Sequence, residues 1–125
     1  MRRKILIVDD DLEASEALRD VLEFEGYSVR RANSGDECLR VLRSGYSPDA
    51  LVVNLVMPGI DGWQLINALA EDAQFGSIPI VLISGKAPVE VRRAVRVLRK
   101  PVPLSELLAV LADVTPSSPA NPFMN

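Results

Sequence analysis

Leu51-Val52-Val53-Asn54-Leu55-Val56-Met57-Pro58-Gly59-Ile60-Asp61-Gly62 is the stretch on which the fold turns. Its opening apolar run, rich in β-branched residues, reads as a strand buried on both faces and beginning at Asp49. Met57-Pro58-Gly59 then breaks the chain with turn chemistry. Asp61-Gly62 opens a helix whose apolar positions, Leu65, Ile66 and Leu69, recur at helical spacing. Asn54 is the exception in this run, a polar amide at the end of an apolar strand, and its presence needs a reason.

The same alternation extends to both sides. Ile5 to Val8 is another strand too apolar to have a solvent face, and three acids, Asp9, Asp10 and Asp11, follow it. Asp11 or its neighbour caps the next helix, with Ala14, Ala17, Leu18, Val21 and Leu22 as its apolar positions and Gly26 as its stop. Tyr27 to Ala32 is a strand carrying charges, which suits a sheet edge. Asn33-Ser34-Gly35 starts a helix through Leu39 and Leu42 that ends near Ser44-Gly45. Pro79 to Ile83 is a fourth strand, Pro88 to Val95 a short helix and Arg96 to Arg99 a fifth strand. Leu104 to Val114 is the last helix, with Leu107, Leu108 and Leu111 as its stripe. Residues 3–114 form one domain. Residues 115–125, rich in proline, serine and asparagine without periodicity, are expected to be a disordered tail.

Composition bounds the chemistry. A chain of 125 residues, 48% hydrophobic and 25% charged, is long enough for one core and has the make-up of a soluble globular domain. Its net charge of −3 supplies no general attraction to nucleic acid. Histidine is absent, which excludes imidazole as base or ligand. Cys38 is the single cysteine, so neither an internal disulfide nor a multi-cysteine metal site can form, and its helical neighbours make it a core residue. Arg2, Arg3 and Lys4 precede only four apolar residues, which is no signal peptide, and no apolar stretch reaches membrane-spanning length. A cytoplasmic location without membrane contact is expected.

Strands alternating with helices imply a parallel sheet covered on both faces, and five such units suit the flavodoxin-like order 2-1-3-4-5. Sites in such sheets lie at the carboxyl ends of the strands. The polar residues there are Asp9 and Asp10 after the first strand, Asn54 on the third, Ser84 after the fourth and Lys100 after the fifth. Adjacent carboxylates repel each other, and a hard cation such as Mg²⁺ relieves them with oxygen ligands. A hydroxyl and an ammonium at the same point would hold phosphoryl oxygens.

Ile-Val-Asp-Asp, Met-Pro-Gly-x-Asp-Gly, Ile-Ser-Gly and Lys-Pro, in this order, resemble the signature of response-regulator receiver domains over about residues 3–114. Each piece alone is weak; together they are specific. The resemblance implies a signalling role in a two-component phosphorelay. It makes residue 54 the phosphoacceptor position, Ser84 and Lys100 the phosphate pocket, and the Lys100-Pro101 peptide cis. It also implies a metal site from Asp9, Asp10, residue 54 and the backbone carbonyl of Val56. Its implied partners are a histidine kinase or a downstream effector. A homodimer stays open, and no separate nucleic-acid-binding element fits in the chain.

Two departures stand out. The family's acceptor is an aspartate, which can attack phosphorus and carry an acyl phosphate; the amide of Asn54 is a very poor nucleophile. Losing one negative charge also weakens the expected hold on Mg²⁺. Further, only sixteen positions separate Ser84 from Lys100, several fewer than is usual, which shortens the fourth helix. Val97 stands where the family commonly has an aromatic switch residue. Basic residues gather in this altered part, namely Lys86, Arg92, Arg93, Arg96, Arg99 and Lys100, with Glu90 the lone acid; a solvated face is their simplest reading.

The expectation is therefore a non-enzymatic, degenerate receiver (a pseudo-receiver) that acts by protein–protein contacts. The alternative is an ordinary receiver whose acceptor aspartate was substituted. A Mg²⁺-dependent phosphohydrolase lacks a second nucleophile at a useful spacing after Asp9. A flavin-binding flavodoxin relative lacks the hydroxyl- and glycine-rich phosphate loop after the first strand.

Overall fold

The computed structural model describes residues 2–85 and 95–115. Five parallel strands form one sheet in the order β2-β1-β3-β4-β5. They are β1 (Lys4–Val8), β2 (Ser28–Ala32), β3 (Ala50–Asn54), β4 (Ile80–Ser84) and β5 (Val95–Arg99). The helices among the described residues are α1 (Leu12–Phe24), α2 (Gly35–Arg43), α3 (Gly62–Ala70) and α4 (Leu104–Val114). The strand order is the flavodoxin-like one expected, with β2 at the edge. The short helix expected over Pro88 to Val95 falls largely outside the described residues, as do Lys86, Glu90, Arg92, Arg93 and residues 116–125; Val95 itself is the first residue of β5.

The apolar runs become the inner strands because both of their faces are covered. In β1, Leu6 and Val8 pack with Leu51 and Val53 of β3 and with Cys38, Leu42, Leu65 and Leu69 from α2 and α3. Ile5 and Ile7 point the other way, to Val52 and to Leu22, Leu107 and Leu111 from α1 and α4. Alternation along the strand thus feeds two separate apolar layers, one on each side of the sheet. Replacing a fully buried leucine such as Leu6 by alanine costs roughly 2–5 kcal/mol in such a layer.

Local signals set the helix starts. Asp11 accepts from the Ala14 N–H at 3.0 Å, and Ser34 accepts from the Glu37 N–H at 3.1 Å. Asp61 and Gln64 satisfy each other's backbone N–H groups in a full capping box. Gly26 and Gly45, with φ of 100° and 105°, turn the chain after α1 and α2 in a conformation that disfavours other residues.

The buried side of α1 differs from the expectation. Ala14 and Ala17 are exposed, whereas Ser15 is buried and Leu22 fully so. Ser15 is admitted to the interior because its hydroxyl donates to the Asp11 carbonyl at 2.8 Å and accepts from Arg31 Nε at 2.7 Å. The end of the domain also differs. Thr115, expected in the tail, is only 5% exposed; it donates to the Leu111 carbonyl and accepts from Arg3. The packed body therefore includes it.

Candidate functional site

Register brings the polar residues to one edge. Val8 lies beside Val53, Asn54 beside Ile83, and Ser84 beside Arg99, so Asp9 and Lys100 follow directly at the carboxyl ends of β1 and β5. A cleft of about 470 Å³ opens there. Leu18, Val102 and Leu107 give it apolar walls, and Asp9, Asp10, Asn54 and Lys100 give it polar ones.

Asn54 is the hub. Its Oδ1 accepts from Lys100 Nζ at 2.9 Å, and its Nδ2 donates to the Val56 carbonyl at 2.7 Å. β3 and β5 are separated by β4, a gap of about 10 Å at normal strand spacing, so the long lysine side chain is what reaches across. The Lys100 N–H holds the Ser84 carbonyl at 2.8 Å, and the Lys100-Pro101 peptide is cis, as the resemblance implied.

Asp9 is half-buried and its Oδ1 accepts from the Asp11 N–H at 3.0 Å. Burial pushes its carboxyl above the ordinary value of 3.8. The Asp11 N–H and the Lys100 charge pull it back, while Asp10 and Asp11 add to the rise. Asp10 is exposed. Asp11, the third acid, is committed to capping α1. Ser84 is buried at 2% exposure and is not among the residues lining the cleft. Val97 is half-buried against the layer that holds Leu51 and Leu82.

These residues fit Mg²⁺ poorly. The Val56 carbonyl and the Asn54 side-chain oxygen, two of the four expected ligands, are both engaged in hydrogen bonds. Among the described residues no group of three or more Asp, Glu, Cys or His is placed to hold a metal ion. Asp9 and Asp10 remain, and two carboxylates of which one is partly desolvated make a thin ligand set for a cation that demands near-octahedral oxygens.

Gly62 opens α3, as its sequence context predicts, and has a second role that the context does not reveal. A Cβ there would stand 2.9 Å from the Leu55 Cα and 3.1 Å from the Asn54 carbonyl oxygen. The Gly62 N–H also donates to the Leu55 carbonyl at 2.7 Å. The start of α3 thus presses directly on the backbone that carries Asn54. The glycine was visible in the sequence; the contact that requires it was not.

The reading of Cys38 as a core residue fits the structure. Cys38 is fully buried, and burial pushes its thiol up to about 12. No helix among the described residues is long and apolar enough to cross a membrane.

Comparison with known proteins agrees with this architecture. The chain is 38% identical over 115 residues to a protein named response regulator MprA from Mycobacterium bovis (strain BCG / Pasteur 1173P2), covering 87% of this chain and 49% of that protein. Over 136 aligned residues it is 35% identical to the MprA response regulator of Mycobacterium sp. (strain KMS), covering 98% of this chain and 58% of that one. The chain thus spans about half the length of the curated relatives it matches. Among solved structures, the receiver domain of a signal transduction histidine kinase from Syntrophus aciditrophicus superposes with a TM-score of 0.82 at 25% identity, covering 95% of this chain and 98% of that one. The chemotaxis protein CheY4 of Vibrio cholerae, at 24% identity and a TM-score of 0.81 over 91% of this chain and 99% of its own, shares the fold. The model of the response regulator receiver domain matches residues 5–112, from the first strand into the last helix, and the chain belongs to that family.

Proposed function

We propose that this receiver domain passes signals through protein–protein contacts and takes no phosphoryl group at residue 54. One observation carries the reading: the acceptor position holds a carboxamide whose two ends are already engaged, by Lys100 and by Val56. A neutral amide has no anionic oxygen to attack phosphorus. The lysine that would meet a phosphoryl oxygen is bonded to that amide instead.

The partner class follows from the family. A histidine kinase or a downstream effector is the expected contact, and a second copy of the chain is admissible. The module has no catalytic role of its own, and any Mg²⁺ at Asp9 and Asp10 is weakly held and outside its action. Cytoplasmic residence accords with such partners.

Intact-mass analysis with saturating acetyl phosphate and Mg²⁺ tests the proposal. The expected result is an unchanged mass. A stoichiometric, hydroxylamine-labile phosphoryl adduct would overturn it. The second reading, an ordinary receiver whose acceptor was substituted, predicts that Asn54→Asp regains both the adduct and a concerted conformational response.

A further inference from the structure

The carboxamide of Asn54 can sit in only one orientation. Lys100 Nζ donates and cannot accept, and the Val56 carbonyl accepts and cannot donate. Flipping the amide would set N–H against ammonium and oxygen against oxygen, so both partners fix Oδ1 towards Lys100 and Nδ2 towards Val56.

This geometry engages the side-chain oxygen of residue 54 and the main-chain oxygen of residue 56. Those are the two oxygens that a divalent cation would otherwise draw together. A carboxylate in the same rotamer could still accept from Lys100. Its second oxygen, however, would face the Val56 carbonyl at 2.7 Å with no proton between two acceptors. Only a bridging cation, or movement of the loop, would relieve that contact.

We infer that Asn54 is a positioning residue whose N–H group takes the part of the metal ion. It ties the loop after β3 to the strand end, and through Lys100 to β5, so that the signalling edge is assembled without Mg²⁺. The inference deepens the proposed function and rests on it for the identity of the site. The bonds of Asn54 to Val56 and Lys100 then occupy the oxygens that Mg²⁺ would need, and the metal does not complete the site. The loop gains a second, independent hold from the Gly62 N–H on the Leu55 carbonyl. The amide therefore sets the conformation of a loop that is already anchored on the α3 side.

Thermal unfolding of the full chain, in EDTA and in millimolar MgCl₂, tests this with the unaltered protein, Asn54→Asp and Asn54→Ala. The unaltered protein is expected to melt at the same temperature in both solutions. N54D should melt several degrees lower in EDTA and recover in MgCl₂; N54A should melt lower in both and ignore the metal. Mg²⁺ raising the midpoint of the unaltered protein as much as that of N54D would overturn the inference, and so would N54D as stable as the unaltered protein in EDTA.

A second readout needs no variant. The side-chain amide of Asn54 and the backbone amides of Leu55 to Met57 should keep their NMR shifts through a Mg²⁺ titration; saturable shifts there would also overturn it. The acetyl phosphate experiment reads a different quantity. An adduct would remove the proposed function, whereas a metal response without an adduct would remove only this inference.

Discussion

Lys100 and Asn54, 46 positions apart in the chain, are joined by a 2.9 Å hydrogen bond from ammonium to carboxamide oxygen. The same ammonium is the cation that opposes the rise of the Asp9 carboxyl. One side chain therefore connects the end of β3 with the acid that follows β1.

Replacing Lys100 by methionine keeps the aliphatic stem and removes the charge. Stability should fall by no more than about 1 kcal/mol, because the bond is solvent-accessible. Asp9 should titrate still higher, since burial and Asp10 would then act with less opposition. Between 3.8 and its folded value, Asp9 keeps a proton that the unfolded chain has released. Its contribution to stability therefore falls as pH rises through that window, and the K100M change should widen the window. NMR titration of the Asp9 carboxyl carbon in both proteins reads this directly. A downward shift in K100M would refute it.

Cys38 gives a second pH dependence at the alkaline end. Its ordinary value of 9.0 is pushed to about 12 by burial, so above pH 9 the unfolded chain ionises while the native thiol does not. Each pH unit in that range should cost about 1.4 kcal/mol for this one proton. Urea unfolding between pH 8 and 11 should show the slope, and Cys38→Ala, although less stable throughout, should lack this part of it. Iodoacetamide at pH 8 should label the thiol only in urea.

Gly62 and Gly35 both open helices, yet alanine should affect them unequally. At Gly62 the added carbon meets backbone, the Leu55 Cα and the Asn54 carbonyl, which cannot step aside. At Gly35 it meets Ile60 Cγ1 and Cδ1 at 2.4 and 2.5 Å, a closer approach but to a half-buried side chain that a change of rotamer can move. Gly62→Ala should cost roughly 1–3 kcal/mol and displace the Asn54 signals, and Gly35→Ala should cost less. Equal losses in urea unfolding would show that the approach of α3 to Leu55 is less tight than it is here.

What could be read from the sequence was what local pattern encodes. Ile5 to Val8 and Ile80 to Ile83 are apolar on every residue, so they had to be inner strands, and the polar residues after them had to gather at one edge of the sheet. Ala14 and Ala17 misled because alanine is small enough for either side of a helix and carries little phase. Nothing in the local pattern marks Ser15 for burial, because its partner, Arg31, lies on another element. Thr115 was assigned to the tail for the same reason, as its contact with Arg3 spans 112 positions. Asn54 announced itself as an anomaly. That its amide would turn back to Val56 depends on the backbone path after β3, which no residue spacing encodes.

Restoring a carboxylate should not by itself restore a switch. A phosphoryl group shifts a receiver only if some element has two states that interact with it differently. Val97 is a poor candidate for such an element: it is half-buried against the sheet layer, pairs in register with Leu82, and has no polar atom to exchange between states. β5 is further held to α4 by the Arg96–Asp113 ion pair and to β4 by the Lys100 N–H on Ser84. Beryllofluoride added to N54D with Mg²⁺ should therefore shift amides from residue 54 to 60 and at Ser84 and Gly85. Those from Val95 to Leu107 should change little, apart from Lys100, whose ammonium turns to the bound beryllofluoride. Hydrogen exchange across the same span should stay within a factor of about two, since local opening there is set by packing that the ligand does not touch. Concerted shifts through Val95 to Leu107 would contradict this, and would return the chain to the reading of a competent receiver whose acceptor alone had been replaced.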